Sequence, residues 1–529
     1  MNKNNWLIGG LTLLVVSGCS ATYESAEKSY KNGEVIEARS DWKELALEGD
    51  HRSMYRLYTS TSRPSEEDIN WLEQAADAGI ADAQYDYAMV LFKEDKFSKA
   101  KTYFELAAKQ DNPKAQEFLR KYGFLFEFWV KAENGDKQTI KDLGDYYWGI
   151  KDYKTALKWY ENCVDTNSYC SFHVGLANNN GYGVSKNYPE AIKWYEKSAK
   201  SGNADSARNL AWLYEDGEGT SINKEKAFYW MSKAAESGNT APISNLGRYY
   251  LYGIGTEKNT KKAFELLSKV ADKDAYAAYN LARMYYFGDG LDKDYKKSLH
   301  WFVVSSKSNH KWATYYVGEH YYLGKGVDKN VFEAFRWYEK AAEQGDPDAQ
   351  FRLAWMYGKG EGVDKNLRKS FVWYQKSADQ GNIVANYNLG VLYDNGTGTE
   401  KNSVKACELY EKSAKQGHAS AQNNLGVCYK SGNGVRQNYE QAAYWYAKSA
   451  QQNNKLAAGN LTSILNELKN RKISVEQAQV YQETNFDSKV LASLERGQKV
   501  YILSRGSKWT EIYFSTNHLI GYVNNTHIE

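Results

Sequence analysis

Residues 204–238 read ADSARNLAWLYEDGEGTSINKEKAFYWMSKAAESG, and two apolar stripes in this stretch decide the fold. Ala207, Leu210, Ala211 and Tyr214 recur at offsets of three and four, so residues 204–215 form a helix with one apolar face. Gly217 and Gly219 end it. On a second helix over residues 224–236, Ala227, Trp230, Met231 and Ala234 share a face, and Gly238 closes it in the left-handed conformation that glycine tolerates best. Neither helix can bury its stripe alone, so copies of the unit must stack.

The copies are present. The frame of Trp230 returns as Trp194, Leu266, Trp301, Trp337, Trp373, Leu409 and Trp445, in steps of 36 residues with one of 35. Paired glycines keep the same beat, from Gly181 and Gly183 to Gly432 and Gly434. A small column, Ala211, Gly247, Ala282, Gly318, Ala354, Gly390 and Gly426, permits close helix approach, and a tyrosine follows each member three residues later. Upstream, around Trp42, Trp71, Tyr103, Trp129 and Trp159, the spacing is shorter and the paired glycines are missing.

The pattern Leu-Gly/Ala-x-x-Tyr, Gly-x-Gly, Ala-x-x-Trp-Tyr-x-Lys-Ser/Ala-Ala resembles the Sel-one-like repeat, a relative of the tetratricopeptide repeat. Eight units carry it between residues 169 and 453, and the upstream pairs read as irregular tetratricopeptide-like units. The resemblance implies a right-handed α-solenoid that serves as a protein-interaction scaffold in signalling, secretion or envelope assembly. A glycine-rich phosphate loop is excluded: none of the eight Gly-x-Gly turns has the third glycine, and each follows a helix instead of a strand.

Composition agrees with a chain that folds along most of its 529 residues: 15% is aromatic and proline occurs five times. The net charge of +3 argues against a nucleic-acid partner held by bulk positive charge. The mean hydropathy of −0.71 excludes a bundle of membrane spans.

Residues 1–18 read as an export leader, with Lys3 ahead of an apolar run from Trp6 to Val16 too short for a permanent span. Val16-Ser17-Gly18-Cys19 resembles the bacterial lipobox, which implies acylation of Cys19; two or three acyl chains make anchoring stable. Ser20 in place of Asp implies sorting to the outer membrane, facing the periplasm, with exposure on the cell surface left open. Four further cysteines suit an oxidising compartment. Cys163 and Cys170 lie at the end of one helix and the start of the next, where a short loop brings them together. Cys407 and Cys428 lie on successive apolar faces and read either as a bridge or as two buried thiols. No cysteine spacing or histidine pair has the form of a metal site, and no cofactor is expected.

After residue 470 the period changes to alternation, with strands expected at 478–481, 489–494, 499–504, 509–514 and 520–523, so residues 474–529 form a small β-barrel. Val490-Leu491, Leu494, Gly497, Val500, Trp509-Thr-Glu-Ile512 and Gly521-Tyr522-Val523 resemble the bacterial Src-homology-3 type domain, which implies binding of peptidoglycan or a peptide. A folded cap over the last helix pair is the other reading. The expected domains are therefore the leader, irregular pairs over 19–165, regular repeats over 166–470 and the barrel.

Two functions from different classes remain at this point. One is a lipid-anchored scaffold that holds a partner protein in the solenoid groove. The other is an envelope enzyme acting on peptidoglycan or a β-lactam, since some Cys-rich relatives with this repeat have been described in those terms. Ser25-x-x-Lys28 and Ser98-x-x-Lys101 match its nucleophile motif, but no Ser-Asp-Asn or Lys-Thr-Gly partner exists in the chain. The scaffold is the better reading. Its binding residues are sought in the column after the small one, Leu176, Trp212, Arg248, Arg283, Glu319, Trp355, Val391 and Val427. Arg, Glu and Trp do not interchange at a packed position, so the column should face the groove, with Trp212, Arg248, Arg283 and Trp355 as the affinity-bearing members. Asn209, Asn245, Asn280, Asn388 and Asn424 run beside it and either bond a neighbouring turn or clamp a partner's backbone.

Overall fold

The computed structural model describes residues 21–514 and 518–529; Cys19 and the leader lie outside the described residues. Among the described residues 27 α-helices precede six strands. Twenty-six of the helices form consecutive pairs, here called A and B, and Lys455–Thr462 closes the array. The chain divides into two compact units, one ending at Ala234 and the other beginning at Ala235, each an α-solenoid of stacked pairs.

In the first unit one apolar core runs from Ala26 to Ala177. Helices Ser168–Asn180 and Tyr188–Lys200 illustrate how local sequence builds a pair. Asn167 caps the first by accepting from the Tyr169 amide, and Gly181 ends it at φ 78°. Asn187 starts the second: its side chain accepts from the Glu190 amide, while its own amide donates to the Asn178 carbonyl at 2.7 Å and folds the turn back. The Ser198 hydroxyl, from the Lys-Ser-Ala run, donates to the Ser168 carbonyl at 2.6 Å and ties the B helix to the head of its A helix. Cys163 and Cys170 are bridged with Cα atoms 5.9 Å apart, joining one pair to the next.

The second unit repeats this construction from Thr240–Tyr252 onward. Its small column sits where rings cross. A Cβ on Gly318 would lie 2.8 Å from the Tyr338 ring, and one on Gly426 would lie 2.6 Å from Tyr446. The two glycines of each turn have different duties. Gly360 ends an A helix at φ 74°, whereas a Cβ on Gly362 would fall 2.7 Å from the Val331 carbonyl oxygen of the preceding B helix. The second glycine therefore lets one repeat's turn rest on the backbone of the one before it. A bridge between Cys407 and Cys428, Cα atoms 6.2 Å apart, links two further pairs.

The C-terminal strands are β1 (Asn470–Lys472), β2 (Gln477–Tyr481), β3 (Val490–Glu495), β4 (Lys499–Arg505), β5 (Trp509–Phe514) and β6 (Leu519–Asn524). They form one antiparallel sheet in the order β1-β4-β5-β6-β2-β3. This corrects the expected barrel: β1 and β3 are the two ends of the sheet and do not pair, so it is not closed. Strand β1, three exposed residues, is too short to carry alternation and escaped the sequence reading. Part of each face of the sheet is buried, while β1 and most of β3 stay open. Ala478, Val480, Leu494, Val500, Ile512, Phe514 and Val523 form its own core. Leu503, Tyr513 and Ile520 pack on Tyr446, Ala450, Leu461 and Leu468 at the end of the helical array. It covers an apolar helix face that would otherwise be bare, which is the role of a terminal cap.

Candidate partner-binding surfaces

The column expected to bear affinity lies in two environments. In the second unit it is woven into contacts between A helices. Arg283 donates from Nη1 to the Tyr252 hydroxyl at 2.7 Å, and its guanidinium packs on Tyr252, Tyr279 and Phe287. Tyr279 stacks on His310 at 4.6 Å and touches Trp312 and Tyr316. Tyr276 and Trp312, 62% and 48% exposed, complete an aromatic face across three successive A helices with one guanidinium at its centre. Burial pushes the Tyr279 hydroxyl up to about 12.

Further along, Glu319 is buried instead of facing a groove. It accepts from the Tyr338 hydroxyl at 2.5 Å and pairs with Arg352 Nε at 3.1 Å. The Arg352 guanidinium lies over the Tyr322 ring. Trp355 is half-buried and meets Tyr322 edge-on at 6.4 Å. Arg248 lies over Tyr249. Arg283, Glu319 and Trp355 thus each meet a side chain one repeat away, whereas Arg248 lies over the ring beside it in its own helix.

In the first unit Trp212 is 40% exposed and lines a pocket of about 480 Å³ with Leu176 and residues of both flanking turns. The asparagine column has mixed roles. Asn245 and Asn388 donate to carbonyls one turn back in their own helices, Asn209 donates to Tyr195 at 3.2 Å, and Asn280 accepts from Tyr252.

Reading one column per helix missed Tyr276, Tyr279 and Trp312. A signal for two of them was available: Tyr276 and Trp312 stand where five other A helices carry Asp205, Ala241, Asp348, Val384 and Ser420, although a sixth carries Tyr169. In the C-terminal sheet, Tyr481, Phe486 and Trp509 form an aromatic cluster, with Phe486 exposed. Among the described residues no group of His, Cys, Asp and Glu side chains could hold a metal, and no helix is long and apolar enough to cross a membrane.

Comparison with known proteins identifies the architecture. The Sel1 repeat profile matches residues 69–80, 81–112, 142–162, 168–203, 204–239, 243–274, 275–310, 313–346, 347–382, 383–418 and 419–454. The chain belongs to the Sel1 repeat family. Three of the eleven matches fall in the irregular upstream region, so Sel1 repeats extend there too. Among solved structures, the chain is similar to c5321, a protective antigen present in uropathogenic Escherichia coli strains and displaying an SLR fold. That likeness has 26% identity over 82% of this chain and 91% of that one, with a TM-score of 0.55. A Sel1 repeat protein from Oxalobacter formigenes is 26% identical over 58% of this chain and 89% of that one, with a TM-score of 0.45. No curated protein matches the chain. Sel1 repeat proteins are generally non-enzymatic scaffolds for protein interactions.

Proposed function

We propose that this Sel1 repeat chain is a lipid-anchored envelope scaffold that captures a protein partner on the A-helix face around Arg283. The observation that carries the reading is an aromatic face of exposed Tyr252, Tyr276, Phe287 and Trp312 with half-buried Tyr279, on which the Arg283 guanidinium packs against Tyr252, Tyr279 and Phe287. Tyr, Trp and Arg are the side chains that dominate interface energetics, because they bury large areas at low entropic cost while keeping a polar handle. Four exposed rings on one face are more than scattered surface aromatics require. The C-terminal sheet ends the array in this reading and leaves the A-helix face to the partner.

Arg283→Ala, compared with wild type for a partner captured by crosslinking in intact cells, should weaken binding by about 2 kcal/mol, roughly thirty-fold. The melting temperature should stay within a few degrees. Trp355→Ala should have a smaller effect. Affinity unchanged in both would place the interface elsewhere.

The envelope half of the proposal is supported by the lipobox ending in Cys19, by the two bridges, which persist in oxidising compartments, and by the antigenic character of c5321. Cys19→Ser should abolish labelling by a fatty-acid analogue and release the protein from membranes, since anchoring needs more than one acyl chain. Equal labelling of the variant would refute the anchor.

A further inference from the structure

The pocket beside Trp212 in the first unit has a composition that the partner face of the second unit lacks. Its polar lining is Asn179, Asn180 and Asn209 with Asp216 and Glu218, set around the exposed side of Trp212. Leu176 and Leu213 contribute its apolar part. The Arg208 guanidinium sits 5.2 Å from the centre of the indole and occupies part of its surface. The amides are held in place. Asn209 donates to the Tyr195 hydroxyl, which leaves its carbonyl oxygen open, and Asn179 donates to Asn180 Oδ1 at 3.2 Å, which leaves one acceptor and one amide donor. The carboxylates of Asp216 and Glu218 have no hydrogen bond or ion pair among the described residues.

We infer that this pocket binds a neutral saccharide. A pyranose presents a face of C–H bonds whose positive ends match the negative face of an indole, and a rim of hydroxyls that donate to carboxylates and amide oxygens. The pocket supplies both, within the roughly 300 to 1,000 Å³ of small-molecule sites. Charge narrows the choice. The Asp216 and Glu218 carboxylates repel uronic and sialic acids, while the Arg208 guanidinium, itself paired with Asp205, already covers part of the indole face that a second cation such as a partner's lysine would take. Hexose glycans and N-acetylhexosamine polymers share the required chemistry, and maltotriose and chitotriose serve as their probes.

The test is calorimetric titration of the full mature chain with maltotriose, chitotriose, trigalacturonate and trilysine. Saturable binding of either neutral trisaccharide is expected, weakened by about ten-fold or more in Trp212→Ala and by less in Trp212→Phe, with melting unchanged. Which of the two binds assigns the source. Asp216→Asn should weaken the neutral ligand without loss of fold. The inference is overturned if neither neutral probe binds, if Trp212→Ala leaves the affinity unchanged while folded, or if trigalacturonate or trilysine binds as well as the sugars. Arg283→Ala leaves this binding intact, so the result stands apart from the fate of the partner face.

Discussion

Glu319→Ala should lower the stability of the repeats around it by about 2 kcal/mol, less than the loss of one member of a fully buried ion pair because the Arg352 side chain is 32% exposed. The carboxylate is 7% exposed and has two claims on it, the Tyr338 hydroxyl and the Arg352 guanidinium. Its loss strands a guanidinium whose charged form the Glu319 charge favours, offsetting the burial that opposes it, and leaves a fully buried phenol without an acceptor. Removing both ends should cost far less than removing one, because a buried pair contributes little beyond repaying its own desolvation. Glu319→Leu with Arg352→Leu should therefore recover most of the loss, and the coupling between the two positions is the quantity to extract. Repeat arrays open locally, so hydrogen exchange over residues 311–323 and 347–359 is the sensitive measurement. Exchange in Glu319→Ala equal to wild type would contradict the account.

In the first unit, acid should act through His173. Burial among Trp148, Tyr160, Tyr169 and Phe172 pushes its imidazole down to about 4, and Lys141 adds to this while Asp145 opposes it. Its Nδ1 has no hydrogen-bond partner, so nothing rewards a proton there. An ordinary histidine in the unfolded chain titrates near 6.5. Between these values the unfolded chain holds a proton that the folded chain refuses. The stabilisation is complete above pH 6.5 and is lost as the pH falls toward 4, for a total of about 3 kcal/mol. His173→Phe keeps the stacked ring and removes the proton site. Urea unfolding at neutral pH and near pH 4 should show this part of the acid sensitivity in wild type only. Equal slopes with pH in the two proteins would rule the histidine out as its source.

These two residues also mark where linear reading stops. Glu319 and Arg352 are each exceptions in their own columns, an acid among aromatics and arginines and a guanidinium among asparagines. Taken singly, Glu319 argues that its column faces a groove. The salt bridge that explains both exceptions joins positions 33 residues apart, in adjacent A helices. His173 sits in the asparagine column of its repeat, and only the aromatic cage around it turns an unremarkable polar residue into a titrating one.

Local chemistry was legible throughout the array. The 36-residue beat, the apolar stripes and the first glycine of each turn depend on residues within one or two helical turns of each other, so sequence alone determines the helix pairs and their stacking. Tertiary structure decided whatever depends on the angle and distance between neighbouring pairs. It assigned the second glycine its duty against the preceding backbone at Val331, joined Cys407 to Cys428, and placed the outer face of the C-terminal sheet on Tyr446 and Leu461. It also brought Tyr252, Tyr279, Arg283 and Trp312 from three helices onto one face. A periodic sequence specifies that its units stack; which side chains then meet follows from the stacking geometry, because each contact takes one partner from either side of a repeat boundary.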